Sequence, residues 1–290
     1  MPSGILIVDK PADWTSQDVA AKLRGVYRER RVGHGGTLDP MATGVLPVFI
    51  GRATRAVSFF ESADKEYECA LRLGVETDTQ DVTGNILTTR DASAVTDEAV
   101  QAVLPRFLGP QDQLPPMYSA IKIGEKKLYE LARKGQDAPR QPRRIPIHPL
   151  TFLGRTEEGD VRLRVGCSKG TYIRTLCADL GDALGCGGCM SALRRTAAGR
   201  YTLTQAHTLP EILAAQSPEA LLLGVDSLFD GLPALTLTQA QAEKARNGNP
   251  VPFGALAEGE YRVYAPDGSF FMVARAAQGM LVTVKSFFEV

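Results

Sequence analysis

Apolar residues recur along this chain in two rhythms, and the changes of rhythm mark out its elements. Ile5 to Val8 is a short apolar run closed by Asp9-Lys10-Pro11, which predicts a buried strand leaving through a loop. Thr15 with Asp18 three residues later resembles a capping box, and Val19, Leu23, Val26 and Tyr27 follow at helical spacing. From Tyr67 to Val75, Tyr67, Cys69, Leu71, Leu73 and Val75 alternate with Glu68, Ala70, Arg72 and Gly74, the period-two pattern of a half-buried strand. The same alternation returns at Val161, Leu163, Val165 and Cys167. Between them a helix is predicted from near Thr96 through Val100, Val103, Leu104, Phe107 and Leu108, with Pro105 kinking or splitting it. A Ser-Lys-Gly-Thr turn then leads into Ile173, Leu176, Cys177, Leu180 and Leu184 at helical spacing, so Tyr172 and Arg174 fall at the first turn of a helix.

A further helical stretch is predicted from about Leu209 to Leu223. Beyond it the character changes. A helix from Thr238 to about Arg246 and the turn NGNP precede three short strands, YRVY, SFFMVARA and LVTVKSFF, separated by Pro266-Asp267-Gly268 and Gln278-Gly279. The order of elements implies an α+β protein with a mixed, largely antiparallel sheet flanked by helices. Residues 1–232 are read as one domain and 233–290 as a small β-barrel-like module. No internal repeat or low-complexity tract is evident.

Composition changes this picture little. The chain has 290 residues, 44% of them hydrophobic, enough for one large core and a small one. Its 33 basic and 33 acidic residues balance, so any grip on a polyanion must come from local clustering. The start lacks a basic stretch leading into a long apolar core, and no run of about 18 apolar residues occurs, so a cytoplasmic protein without a membrane span is expected. The five cysteines are an odd number and are read as reduced thiols. Cys186 and Cys189 form a CxxC, but no second ligand pair stands at similar spacing and His34, His148 and His207 are far away in sequence, so no metal is expected.

Charge does cluster. Between Lys122 and Arg144 eight basic residues, among them Lys122, Lys126, Lys127, Arg143 and Arg144, face three acidic ones, with Tyr129 in their midst. Pro139, Pro142 and Pro146 imply an irregular exit, so about 122–147 reads as a helix-bearing basic insertion suited to nucleic acid. The first helix continues the theme with Lys22, Arg24, Arg28, Arg30 and Arg31, whether a solvated face or a binding one.

The stretch VGHGGTLDPMATGVLP, from Val32 to Pro47, sets one acid, Asp39, shortly after three glycines within four residues. It fits neither GxxxxGK[ST] nor GxGxxG, and no GxSxG, Ser-His-Asp set or second nearby acid accompanies it. Local composition leaves open a tight turn in which Asp39 caps the backbone and a loop built to present a carboxylate. GHGGTLDPMATGVLP resembles the catalytic-loop motif of the TruB-type tRNA pseudouridine synthases, with T-L-D-P where other pseudouridine synthases usually read R-L-D. VDKP at 8–11, DKEYE at 64–68, LGVETDTQDVTG at 73–84, PPMYSAIKIGEKKLYELARKG at 115–135, CSKGTYIRTLCADLG at 167–181 and LRRTAAGRY at 193–201 resemble blocks of that family in the same order.

The resemblance covers residues 4 to 210 closely and implies the pseudouridine synthase fold; the C-terminal module is similar to a PUA domain. It implies isomerisation of the T-loop uridine at tRNA position 55, with Asp39 as the nucleophilic or electrostatic carboxylate, Arg174 as its partner and Tyr67 stacked on the target base and helping to remove the C5 proton. His34 would fill the space left by the extruded base, with Tyr172, Leu193 and Lys10 around the substrate. Gly33, Gly35 and Gly36 would serve tight turning and close RNA approach. No cofactor is implied. The expected partner is the tRNA T-stem-loop, gripped by the basic insertion, the Arg-rich first helix and the C-terminal module, with the protein a monomer without a protein partner. A tRNA-folding chaperone and a guide-RNA-dependent relative are the alternatives. The set Asp39, Tyr67, Tyr172 and Arg174 favours the enzyme, and the basic insertion weighs against guide dependence.

Overall fold

A computed structural model describes residues 2–288. Strand β1 (Gly4–Lys10) pairs antiparallel with β3 (Thr43–Ile50) along its whole length, from Gly4 opposite Ile50 to Lys10 opposite Gly44. Helix α1 (Ser16–Tyr27) and the short β2 (Val32–His34) lie between them. Thr15 caps α1 as the sequence suggested: its hydroxyl accepts from the Asp18 N–H and its own N–H donates to the Asp18 carboxylate at 3.0 Å. The helix stops at Tyr27 because Arg28 turns left-handed, φ 49°. Arg30 and Arg31 therefore sit in the connection to β2 and not on the helix, and Arg31 is paired with Glu29 at 3.2 Å.

After β3 a 3₁₀ segment and the single turn α2 (Val57–Phe60) lead into β4 (Lys65–Leu73). The hairpin β5 (Val75–Thr77) and β6 (Ile86–Thr89) follows, then α3 (Asp97–Val103), where Pro105 turns the continuation into a 3₁₀ turn. Next come β7 (Gly109–Gln113), the small hairpin β8 (Lys122–Ile123) and β9 (Lys126–Lys127), and α4 (Leu128–Ala132). Strands β10 (Arg143–Arg155) and β11 (Val161–Cys167), helix α5 (Ile173–Ala183), and strands β12 (Gly188–Ala198), β13 (Tyr201–Thr202) and β14 (His207–Thr208) complete the main sheet and its cover.

Two expectations change here. The basic insertion ends sooner than expected, because Arg143 and Arg144 already belong to β10, which is pinned on both sides by β7 and β11 and carries Pro146 within the ladder. The helix expected from Leu209 to Leu223 is only α6 (Leu209–Ala214), followed by a separate 3₁₀ turn at Pro218–Leu221. Pro218 cannot donate to the Ala214 carbonyl and pushes Ser217 out of helical conformation.

The main sheet has ten strands in the order β14-β1-β3-β12-β4-β11-β10-β7, with β2 on β3 and β13 on β12; only β1–β14 and β3–β12 are parallel. Strand periodicity then sorts the side chains. Leu6, Val8, Leu46, Val48, Tyr67, Cys69, Leu71, Leu163 and Val165 face α1, α3 and α5 in one core. Ile5, Ile7, Val45 and Phe49 face the other way, into a core shared with Phe60, Tyr201, Phe229, Val273 and Phe287. That second core joins the main sheet to a five-stranded sheet, β15 (Ala234–Thr236), β16 (Val251–Pro252), β17 (Gly259–Tyr264), β18 (Phe270–Ala277) and β19 (Met280–Ser286), ordered β15-β17-β18-β19-β16 and packed with α7 (Gln239–Arg246). The last two residues of the expected module, 289 and 290, lie outside the described residues. All five cysteines are buried and unpaired. Among the described residues no helix is long and apolar enough to cross a membrane.

Candidate active site

The loop between β2 and β3 is held from below before any chemistry is considered. Ser16, at the start of α1, is buried, and its hydroxyl accepts from the Leu38 N–H at 2.8 Å and donates to the Leu38 carbonyl at 3.3 Å. The Pro40 carbonyl accepts from the Asp13 N–H at 2.9 Å and from the Lys10 ammonium at 3.0 Å. Gly35 is required by the protein itself, since a side chain there would meet the Phe60 ring at 2.4 Å. Asp39 is thus carried on a segment fixed on both flanks, and its side chain keeps 36% exposure.

Its partner arrives from the far side of the fold. The Tyr172 backbone at the start of α5 is clamped by Gln113 at the end of β7: the Tyr172 N–H donates to the Gln113 amide oxygen at 2.8 Å, and the Gln113 amide donates back to the Tyr172 carbonyl at 3.0 Å. Arg174, 7% exposed, then points at the loop. Its Nε lies 3.0 Å from Asp39 Oδ2, its Nη1 donates to the Thr79 carbonyl at 3.1 Å and its Nη2 to the Tyr118 carbonyl at 2.9 Å. The same Nε is 3.8 Å from a second, buried acid, Asp81, whose other oxygen accepts from the Thr79 hydroxyl at 2.8 Å and from the Thr83 N–H at 3.0 Å. One guanidinium therefore serves two carboxylates and ties both the β5–β6 hairpin and the root of the basic insertion to the loop.

Burial raises the Asp39 carboxyl above its ordinary 3.8, Arg174 pulls it down by charge and hydrogen bond, and Asp81 pushes it up again. The expected lowering by Arg174 is present but outweighed. Tyr67 is buried on β4 and its phenol is raised above 10, chiefly by burial, with Arg195 opposing. Leu193 lies opposite Cys69 in the β4–β12 ladder and lines a cavity of about 390 Å³ with Met41, Thr43 and Arg194; neither Asp39 nor Arg174 lines it. His34 stands at the end of β2 opposite Val48; its buried Nδ1 has no hydrogen-bond partner, and burial followed by the Arg195 charge lowers its pKa, which favours the neutral ring.

Lys10 departs from the expected substrate contact. It is fully buried, and its ammonium donates to the carbonyls of Pro11, Trp14 and Pro40, so it holds the loop from beneath. Burial pushes it down to about 8, against the charges of Asp13 and Asp39, which favour the ammonium. Lys122, Lys126 and Arg143 are exposed, Lys127 and Arg133 each lie over the Tyr129 ring, 5.5 and 5.3 Å from its centre, and Arg144 pairs with Asp112 at 3.6 Å. Asp81, Gln113 and Arg195 carry no local signal of their roles; only the recurrence of acids in TDTQD at 77–81 hinted at Asp81.

Residues 24–173 match the family described as TruB family pseudouridylate synthase (N terminal domain), residues 174–229 the tRNA pseudouridylate synthase B C-terminal domain, and residues 233–284 the family Pseudouridine synthase II TruB, C-terminal. The chain is 43% identical to the tRNA pseudouridine synthase B of Burkholderia mallei (strain NCTC 10247), over 96% of this chain and 94% of that one. It is likewise 43% identical to the tRNA pseudouridine synthase B of Dechloromonas aromatica (strain RCB), over 97% and 94%. Among solved structures, one of a Cbf5-Nop10-Gar1 complex superposes with a TM-score of 0.71 at 25% identity, covering 98% of this chain and 85% of that one. With a family model matched over residues 24–173 and relatives matched almost end to end, the chain belongs to the TruB family of pseudouridylate synthases.

Proposed function

We propose that the protein isomerises uridine to pseudouridine at position 55 in the T-loop of tRNA. The observation that carries this reading is the 3.0 Å pairing of Asp39, on a loop of the family's sequence, with Arg174. The reaction breaks the N1–C1′ bond, turns the uracil and joins C5 to C1′. It is neither a redox nor a phosphoryl-transfer step, so no cofactor is called for. Asp39 acts as an anionic carboxylate at ribose C1′ or base C6, and Arg174 opposes the burial that would protonate it.

A stacked uridine must first leave the tRNA loop. His34, neutral and with an uncommitted ring nitrogen, fills the vacated space. Tyr67 stacks on the extruded base, a contact worth about 1–3 kcal/mol, with Leu193 on the apolar side and Tyr172 at the pocket floor. Lys122, Lys126, Lys127, Arg143, Arg144, Arg30 and Arg31 meet phosphates, as does the module at 233–290, a domain apart from 1–232. The protein acts as a monomer on tRNA alone, a reading supported by the bacterial tRNA pseudouridine synthase B relatives.

Release of tritium from a tRNA transcript labelled at uridine C5, with mapping of the modified position, tests the proposal. Wild-type release at the T-loop site and none from Asp39→Asn is expected. Tight tRNA binding without release by the wild type would overturn it in favour of a tRNA-folding chaperone or a guide-dependent enzyme.

A further inference from the structure

A second buried guanidinium takes no part in the Asp39 pairing. Arg195, in β12, is 1% exposed and heads the fully buried side chains by size. Its backbone sits against Gly44, where a side chain would come within 2.2 Å of the Arg195 carbonyl, so β3 and β12 touch closely there. Its Nε donates to the Val45 carbonyl at 2.6 Å and its Nη2 to the Gly36 carbonyl at 3.1 Å. Among the described residues no carboxylate pairs with it, although an uncompensated buried charge is costly. Its Nη1 lies only 3.6 Å from the point where a Gly36 side chain would begin.

Across the β4–β12 ladder Arg195 is the register partner of Tyr67. Directly opposed residues of an antiparallel pair project on the same face with Cβ atoms about 5 Å apart. The cation and the phenol are thus neighbours, and the cation is also tied to the loop that carries Asp39 three residues beyond Gly36.

We propose that Arg195 is a positioning residue for the isomerisation, its guanidinium holding the Gly36 loop on one side and the Tyr67 ring on the other, so that carboxylate and phenol keep a fixed separation around the extruded base. This rests on the reading of Asp39 and Tyr67 under Proposed function. The absence of a carboxylate partner then has a use: an acid beside Arg195 would neutralise the charge that faces Tyr67. The groups acting on the Tyr67 hydroxyl are Arg195, Cys167 and Asp39; Arg195 favours the phenolate, and the other two oppose it. When C5 has joined C1′, its proton leaves for a base, the electron pair left behind forms the C5=C6 double bond, the C6=N1 pair moves onto N1, and N1 takes a proton back from that base or from water, so no proton is gained or lost overall. Burial favours the protonated phenol and the fixed cation offsets part of that, so Arg195 raises the share of Tyr67 phenolate able to take that proton.

The test uses the full-length enzyme with Arg195→Gln, Arg195→Lys and Tyr67→Phe, with 3,5-difluorotyrosine at position 67 as a fluorine probe of ring ionisation. In Arg195→Gln, kcat falls by about ten- to a hundredfold, the loss expected for a charged hydrogen bond, while KM stays within about twofold. The midpoint of the fluorine titration moves up, and Arg195→Lys, which keeps the charge, restores part of both. A residue that merely clamped the loop would leave the fluorine midpoint where it is in the wild type, and that result overturns the proposal. Should Arg195→Gln not fold, the side-chain nitrogen resonances of Arg195 in Tyr67→Phe decide: a shift from wild type is expected, and unmoved resonances refute the contact. Wild-type tritium release is read separately, so failure of the functional reading cannot be confused with failure of this one.

Discussion

Replacing Arg174 by Gln removes the guanidinium bonded to Asp39 while keeping an amide donor and much of the side chain's bulk. At an effective dielectric constant of about 20, two unit charges about 4 Å apart attract by about 4 kcal/mol. Asp39 keeps 36% side-chain exposure, and solvent screening cuts the attraction by about half, to about 1.5–2 kcal/mol, the low end of what an adjacent arginine does to a carboxyl. That is about 1 to 1.5 units of carboxyl pKa. The sign is fixed by the surroundings. Asp39 already lies above 3.8 through burial, and Asp81 stays behind to repel its anion once the cation between them is gone. Activity that needs the carboxylate is lost as pH falls through its pKa, so in Arg174→Gln that loss begins at higher pH.

The assay is kcat/KM for tritium release between pH 5 and 9, with tRNA affinity measured beside it. The acid limb of Arg174→Gln is expected about 1 to 1.5 units above wild type, with tRNA binding retained. Arg174→Lys separates charge from shape. An ammonium keeps the charge but cannot reach Asp39, Thr79 and Tyr118 with one planar fork, so its acid limb should stay near wild type while kcat falls. Coincident acid limbs for Gln and wild type, or an equal shift for Lys and Gln, would refute the electrostatic account of the pair.

Ser16→Ala strands the buried Leu38 N–H and should lower Tm by about 2–10 °C, with kcat falling as the Asp39 loop loosens; an unchanged Tm in a thermal scan would contradict the anchoring role. Asp39→Asn should unfold at higher temperature than wild type at pH 7. The folded pKa lies above the unfolded one, so the ionised carboxylate costs stability that grows as pH rises through that window, and the gap should close in scans below pH 4. Changing Lys122, Lys126 and Arg143 together to Gln should weaken tRNA binding and flatten the plot of log K against log salt by about 2–3; an unchanged slope would place the phosphates elsewhere.

Much of the fold was legible because single residues decide it locally. Thr15 and Asp18 start α1, Pro105 ends α3, and alternation in β4 and β11 marks strands buried on one face. The acid loop was legible for a similar reason, since glycines and a proline crowd one stretch. What escaped depends on which strands become neighbours. Arg194 and Arg195 are adjacent in sequence, yet the strand period sends Arg194 to Asp9 at 2.8 Å and Arg195 into the core. Nothing local tells which of the two goes inside. Gln113 clamps a backbone 59 residues away. Asp78 and Asp81 look alike in TDTQD, but Asp78 caps Asn85 while Asp81 faces Arg174. Even Gly35, readable as a point of RNA approach, is required by Phe60.

The same contacts bear on how a chain of zero net charge can receive a polyanion. Lys10, Lys65 and Arg195 are buried around the Asp39 loop, and their hydrogen bonds run to main-chain carbonyls, those of Pro11, Trp14 and Pro40, of Glu61 and Ala63, and of Val45 and Gly36. Carbonyl dipoles satisfy the donors without cancelling the charge, as carboxylates would. The charge these cations retain is screened by salt far less than that of an exposed lysine. Binding through the exposed residues of the basic insertion should then weaken steeply with ionic strength, while the chemical step on bound tRNA, which senses the buried cations, should respond weakly.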